Sequence, residues 1–236
     1  MLRSLLGAAE TGPGRPTGDA LAAMERYLKL LEKLIRASGD GSRRLRTYEI
    51  WTKGLMVALE ELEESRFAAR LFGERVTAIV VSGLSEDELL NYRRYVYFDK
   101  NAYIRLFALL DKLGTLMNDM LQLQTEKLKP QFSYYTVLRG MRERGLHRQL
   151  SDELNRLKET YREPMNLLRK RRNMEVHYMN AELEDDLTQL YRAYGSEVKL
   201  ENIAEQMNML DLGLRMATDS VKLAFDYAAR VMSKSR

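Results

Sequence analysis

The 236-residue chain contains no cysteine, two histidines and four prolines. Without cysteine there are no disulfides, thiolate metal sites, iron–sulfur clusters or cysteine nucleophiles. With only His147 and His177 to supply imidazole, a zinc site would have to lean on carboxylates, against the usual nitrogen and sulfur preference. No metal and no cofactor is therefore expected. No apolar run approaches the roughly 20 residues of a membrane span. The opening Met1-Leu2-Arg3-Ser4-Leu5-Leu6 is too short in its apolar part for a secretory signal. These readings point to a soluble, cytoplasmic protein with no membrane partner.

What the chain does have is the material of amphipathic helices. Hydrophobic residues make up 45% and charged residues 31%, an ordinary balance for a soluble helical protein. Lys and Arg outnumber Asp and Glu by 38 to 34, too mild an excess to mark a nucleic-acid binder by itself. Most of the cations are arginine, the side chain suited to bidentate phosphate contacts.

Two of the prolines, Pro13 and Pro16, fall within residues 1–18, which hold too little apolar content to fold alone and read as a mobile arm. Residues 19–236 read as a single all-α domain, an antiparallel helical bundle. Asp19 or Thr17 caps a helix to about Arg36, and Ser42 opens a second to about Phe72. Val76-Thr77-Ala78-Ile79-Val80-Val81 reads either as a lone strand or as the end of a helix. Ser85-Glu86-Asp87-Glu88 has the pattern of a capping box. A long helix is expected over roughly 99–128, with Tyr103, Phe107, Leu110, Met117 and Leu121 on one face. Shorter helices follow at about 134–144 and 151–162, and Pro164 suits the first turn of another. In the last helix Leu200, Ile203, Met207, Leu210, Leu214, Ala217, Val221, Ala224, Ala228 and Val231 alternate in steps of three and four. That seam fits a coiled-coil dimer or one helix inside a bundle, and the other amphipathic helices favour the bundle. Trp51, the tyrosines and the methionines are expected in the core or lining grooves.

The chemistry concentrates in Arg169-Lys170-Arg171-Arg172-Asn173-Met174-Glu175-Val176-His177-Tyr178. Histidine gives and takes protons near neutral pH, and arginine offers a planar cation to phosphate oxygens. On a helix, Asn166, Lys170, Asn173, His177, Asn180 and Glu184 form one polar stripe, so His177 is not read as a core residue; the bland alternative is a solvated helix face. Asn173, one turn before His177, is placed to fix its tautomer. Arg172, five residues before His177, is rotated away by about 140°. A working site therefore needs more than one helix, and a two-fold dimer is the simplest supply. Arg169, Lys170 and Arg171 are candidates for binding the phosphate backbone of RNA. A second basic stretch, Arg139, Arg142, Arg144, His147 and Arg148, is a weaker candidate. Glu182, Glu184, Asp185 and Asp186 are read as solvated or capping carboxylates. Tyr178 is a candidate for stacking on a base.

The string Arg172-Asn173-Met174-Glu175-Val176-His177 resembles the R-x4–6-H motif of the HEPN superfamily in its form with a polar residue after the arginine. Arg142 to His147 also fits the loose pattern, but it has Glu143 in place of the asparagine and Gly145 within it, and it is set aside. The resemblance implies an all-α bundle, here with extra N-terminal helices, and a metal-independent endoribonuclease that pairs two motif helices across a homodimer cleft. It further implies Arg172 and His177 as catalytic residues, Asn173 in support, RNA or a nucleotide as ligand, and a toxin-like role with an antitoxin or nucleotidyltransferase partner. The alternatives are a non-catalytic HEPN module that binds nucleotide, RNA or a partner, and a helical scaffold.

Overall fold

A computed structural model describes residues 4, 17–38, 42–177 and 199–234. Among them are seven α-helices: α1 (Gly18–Ser38), α2 (Arg43–Gly73), α3 (Glu86–Met120), α4 (Tyr134–Glu143), α5 (Arg148–Thr160), α6 (Arg162–His177) and α7 (Ile203–Lys234). None of the described helices is long and apolar enough to cross a membrane. The all-α architecture is the one the sequence implies.

The chain divides into two compact units. One draws on Leu62–Ile104 and Glu163–Gly213, the other on residues 17–61, Arg105–Arg162 and Leu214–Arg236. Helices α2, α3 and α7 contribute residues to both. Along α7 the seam residues Met207, Leu210, Leu214, Ala217, Val221, Ala224 and Ala228 are all buried within the chain. The chain's own helices cover this seam, as a bundle requires.

In the second unit the core gathers around aromatic side chains with polar ends. Tyr27 packs edge-on against Phe225 at 5.2 Å. Tyr48 donates its hydroxyl to Asp119 Oδ1 at 2.7 Å, and Arg44 pairs with the same carboxylate at 3.0 Å. Burial, followed by the Asp119 contact, pushes the Tyr48 hydroxyl up to about 12. Tyr134, fully buried, donates to Ser220 Oγ at 2.9 Å, and its backbone N–H is capped by Asp111 Oδ1 at 2.9 Å. These bonds give each phenol an apolar body to bury and a satisfied polar end.

Three expectations change. The segment at Ser85 and the helix expected from 99 are one helix, α3, because neither glycine nor proline interrupts residues 86–113. That helix stops at Met120 rather than near 128. Gln122 and Gln124 take left-handed conformations (φ 54° and 52°), and Asn118 Oδ1 accepts from Thr125 N at 2.8 Å, closing the turn before Pro130 is reached. The Val76–Val81 run is neither strand nor helix end. Val80 makes one isolated antiparallel bridge to Lys199, Leu200 N donates to Ile79 O at 2.8 Å, and a short 3-10 turn follows at Val81–Gly83.

The capping box is present and enlarged. Ser85 Oγ accepts from Glu88 N at 3.3 Å, while Glu88 Oε2 accepts from Ser85 N at 3.2 Å. The other Glu88 oxygen accepts from Thr77 Oγ1, Thr77 N and Ala78 N at 2.7, 2.9 and 3.2 Å. The Thr77 donors, then those of Ser85, hold the Glu88 carboxyl down at about 2.

Two predictions follow from these packing details. A Cβ added at Gly114 would lie 2.9 Å from Tyr134 Cα, so Gly114→Ala should destabilise by about 1–3 kcal/mol through overpacking. An exposed helical site would instead gain about 1 kcal/mol from the same change; urea unfolding midpoints decide the sign. Glu88 has a folded pKa below its unfolded value, so its contribution is complete above the ordinary glutamate range and lost as pH falls through about 2. The stability gap between wild type and Glu88→Ala, followed by denaturation across pH 2 to 7, should therefore be constant near neutrality and close in acid.

Candidate functional site

Helix α6 carries the motif. Pro164 lies in its first turn, where a missing N–H costs nothing. Met165 and Leu168 are buried and set the inward face. Arg172 continues that face, seven residues after Met165 and four after Leu168, and it is half-buried. Arg171 and Glu175 flank it one turn apart.

Arg171 is the best-anchored residue of the basic run. Its Nη2 lies 2.5 Å from Asp99 Oδ2 and 3.8 Å from Glu201 Oε2, and its guanidinium stands 4.9 Å from the Tyr103 ring centroid. Asp99 is only 1% exposed. Burial alone would weaken the Arg171 charge, but Asp99, then Tyr95 and Glu201, hold it protonated more firmly than an ordinary arginine. One turn further on, Glu175 Oε2 accepts from Lys100 Nζ at 2.8 Å. Consecutive residues of α3, Asp99 and Lys100, thus grip residues 171 and 175 of α6 with opposite polarity. Glu201 also contacts Gln206, which accepts from the Tyr95 hydroxyl at 2.9 Å.

The candidate residues therefore separate. Arg171 commits its charge to buried carboxylates. Arg169 and Asn173 are half-buried, and Lys170 and His177 are exposed. Asn166, Lys170, Asn173 and His177 share the outer stripe, as the helical phase requires, and His177 is the final residue of α6. It makes no hydrogen bond to a described residue, and Met174 and Val176 beside it are 45% and 52% exposed. Arg172 and His177 point to different sides of α6, so one helix does not bring them together. Tyr178, Asn180, Glu182, Glu184, Asp185 and Asp186 lie outside the described residues.

The second histidine is built quite differently. His147 stands at the N-cap of α5 with φ 47°. Its Nδ1 lies 2.9 Å from the Tyr227 hydroxyl and its Nε2 3.1 Å from Leu121 O. A carbonyl only accepts, so Nε2 carries the proton and Nδ1 accepts from Tyr227. Both nitrogens are used in tying a turn, which fits the decision to set this match aside. Nearby, Arg144 donates to Leu123 O and Gly140 O, and Arg139 lies 4.0 Å from Glu143, leaving Arg142 and Arg148 as exposed cations of that stretch.

Sequence reasoning missed Asp99, Lys100, Tyr103, Glu175 and Glu201 as supports of the motif. A signal for the first exists: Tyr92, Tyr95, Asp99, Ala102, Tyr103 and Leu106 follow helical spacing and are all buried, so a lone carboxylate occupies a core position and needs a cation.

Removing that carboxylate should be costly. Asp99→Ala leaves Arg171 partly buried without its main counter-charge, and a loss of about 3–5 kcal/mol is expected. Lys170→Ala, on the exposed stripe, should change stability by less than about 0.5 kcal/mol. Chemical denaturation of the two variants measures the contrast.

No curated protein and no solved structure gave a match in comparisons with the chain. A family model described as HEPN_Cthe2314-like HEPN matches residues 51–229, which span α6 and most of the helical architecture. The chain is a member of the HEPN_Cthe2314-like HEPN family, a helical HEPN-type module.

Proposed function

We propose that this chain is a metal-independent endoribonuclease of the HEPN type, with a composite site built by the α6 helices of a homodimer. The observation that carries this reading is the state of His177. It is an exposed imidazole at the end of a firmly anchored helix, with no hydrogen bond to a described residue, on one stripe with Asn173 and Lys170.

The reaction is attack of a ribose 2′-OH on the adjacent phosphorus. The P–O5′ bond breaks, leaving a 2′,3′-cyclic phosphate and a 5′-OH. His177 takes the 2′-OH proton, or supplies a proton to the departing 5′ oxygen, and the two copies divide these roles. Arg172 stabilises the charge that grows on the phosphorane oxygens. Asn173 orients the imidazole or binds a phosphate oxygen. Lys170 and Arg169 attract the RNA backbone, which makes binding salt-dependent. Arg171, held by Asp99, fixes the helix that presents these groups.

A second reading has one observation in its favour: Arg172 lies on the packed side of α6, away from His177. In that reading the module binds a nucleotide, RNA or a protein partner, such as an antitoxin or a nucleotidyltransferase, without cutting.

RNA cleavage in EDTA separates the two. Wild type should release products ending in a 2′,3′-cyclic phosphate, and Arg172→Ala and His177→Ala should each lower the rate by about 100-fold or more. His147→Ala should leave the chemistry intact. A folded wild type inert on diverse RNAs would remove the enzyme reading and leave the binding module.

A further inference from the structure

The outer face of α2 is unusual for a helix that packs on its own chain. Ile50, Trp51 and Val57 are 67%, 40% and 54% exposed. Beside them a groove of about 500 Å³ opens between α2 and α3, lined by Ile50, Trp51 and Gly54 on one side and by Ala108, Lys112 and Thr115 on the other. Gly54 sits in the interior of α2, where glycine weakens a helix. Nothing in the chain's own packing requires it, because a Cβ built there meets no atom within 4 Å. A glycine with open space above it suits the close approach of a backbone from outside.

The charges beside this patch say what kind of backbone. The exposed face of α2 begins with Arg43 and Arg46, passes through the apolar residues around Gly54, and ends in Glu60 and Glu61. Its first turn contains no acidic residue, so cations crowd the helix end that prefers anions. An antiparallel copy of the same helix supplies what is missing. When position 54 faces itself, Trp51 meets the partner's Val57, and Arg46 comes within one residue of the partner's Glu61. A parallel copy would set cations on cations. The face is therefore complementary to itself under a two-fold rotation, the defining property of an isologous interface.

We infer that the α2 face centred on Gly54 is an interface between two copies of this chain, with their α2 helices antiparallel and a two-fold axis passing beside Gly54. This face belongs to a different part of the sequence from the α6 motif and does not depend on the ribonuclease reading.

The absence of cysteine makes the test clean. In the full chain, Gly54→Cys should form a disulfide-linked dimer under mild oxidation, since its two copies face each other across the axis within the roughly 7 Å a disulfide requires between Cα atoms. Glu60→Cys should not, because its copies lie about 18 Å apart along paired helices. Gly54→Arg should halve the molar mass measured by light scattering and leave the circular dichroism spectrum unchanged, as the space above Gly54 is open. The interface is refuted if Gly54→Cys cross-links no faster than Glu60→Cys, or if the mass is indifferent to Gly54→Arg while the protein stays folded. Either result would assign the groove to another partner or the self-association to another surface. Cross-linking at position 54 without RNA cleavage would defeat the ribonuclease reading alone, and cleavage without cross-linking would defeat this interface alone.

Discussion

Asp99 has almost no access to water, yet it keeps a charge, and that is possible only because the Arg171 guanidinium lies against it over the Tyr103 ring. An isolated carboxylate in such a place would cost several kcal/mol, so α3 and α6 are not free to pack in any other register here. The adjacent Lys100–Glu175 pair reverses the polarity one turn further on. A shift of α6 by one turn would bring Glu175 towards Asp99, carboxylate on carboxylate. This two-pair lock does not itself take part in chemistry. It determines which side of α6 faces inward, and so puts Arg172 near the packed side and His177 at the surface.

The two histidines show how little a short pattern says until its surroundings are known. Each follows an arginine by five residues. His147 has spent both ring nitrogens on a phenol and a carbonyl and takes a left-handed backbone to do so. His177 ends its helix in the open. The asparagine after the arginine separated the two in advance because Asn173 and His177 share a helical face, and helical phase is fixed by spacing alone.

Phase explains most of what could be read beforehand. The α7 seam, the Ser85–Glu88 capping box and the inward face of α3 are each written in residues three or four apart, and local spacing fixes their relation. The Arg171–Asp99 pair joins residues 72 apart in sequence, so Arg171 looked like one more cation in a basic run. Its position three residues after the buried Leu168 was the only local hint that it turns inward. Gln122 and Gln124 escaped notice for a related reason: glutamine is a good helix former, and it is the Asn118 side chain, reaching forward to Thr125, that closes the turn instead. Trp51 misled in the opposite direction, since a large aromatic residue is usually taken for core, and here it lines an open groove.

Glu88 gathers five donors from Thr77, Ala78 and Ser85 onto one carboxylate in addition to closing the start of α3. Three of those donors are backbone amides belonging to separate parts of one connection. They have no independent means of opening: when the carboxylate lets go, all three lose their acceptor together. The link between α2 and α3 therefore behaves as a single cooperative element in local fluctuations, with solvent reaching its amides in one event rather than residue by residue.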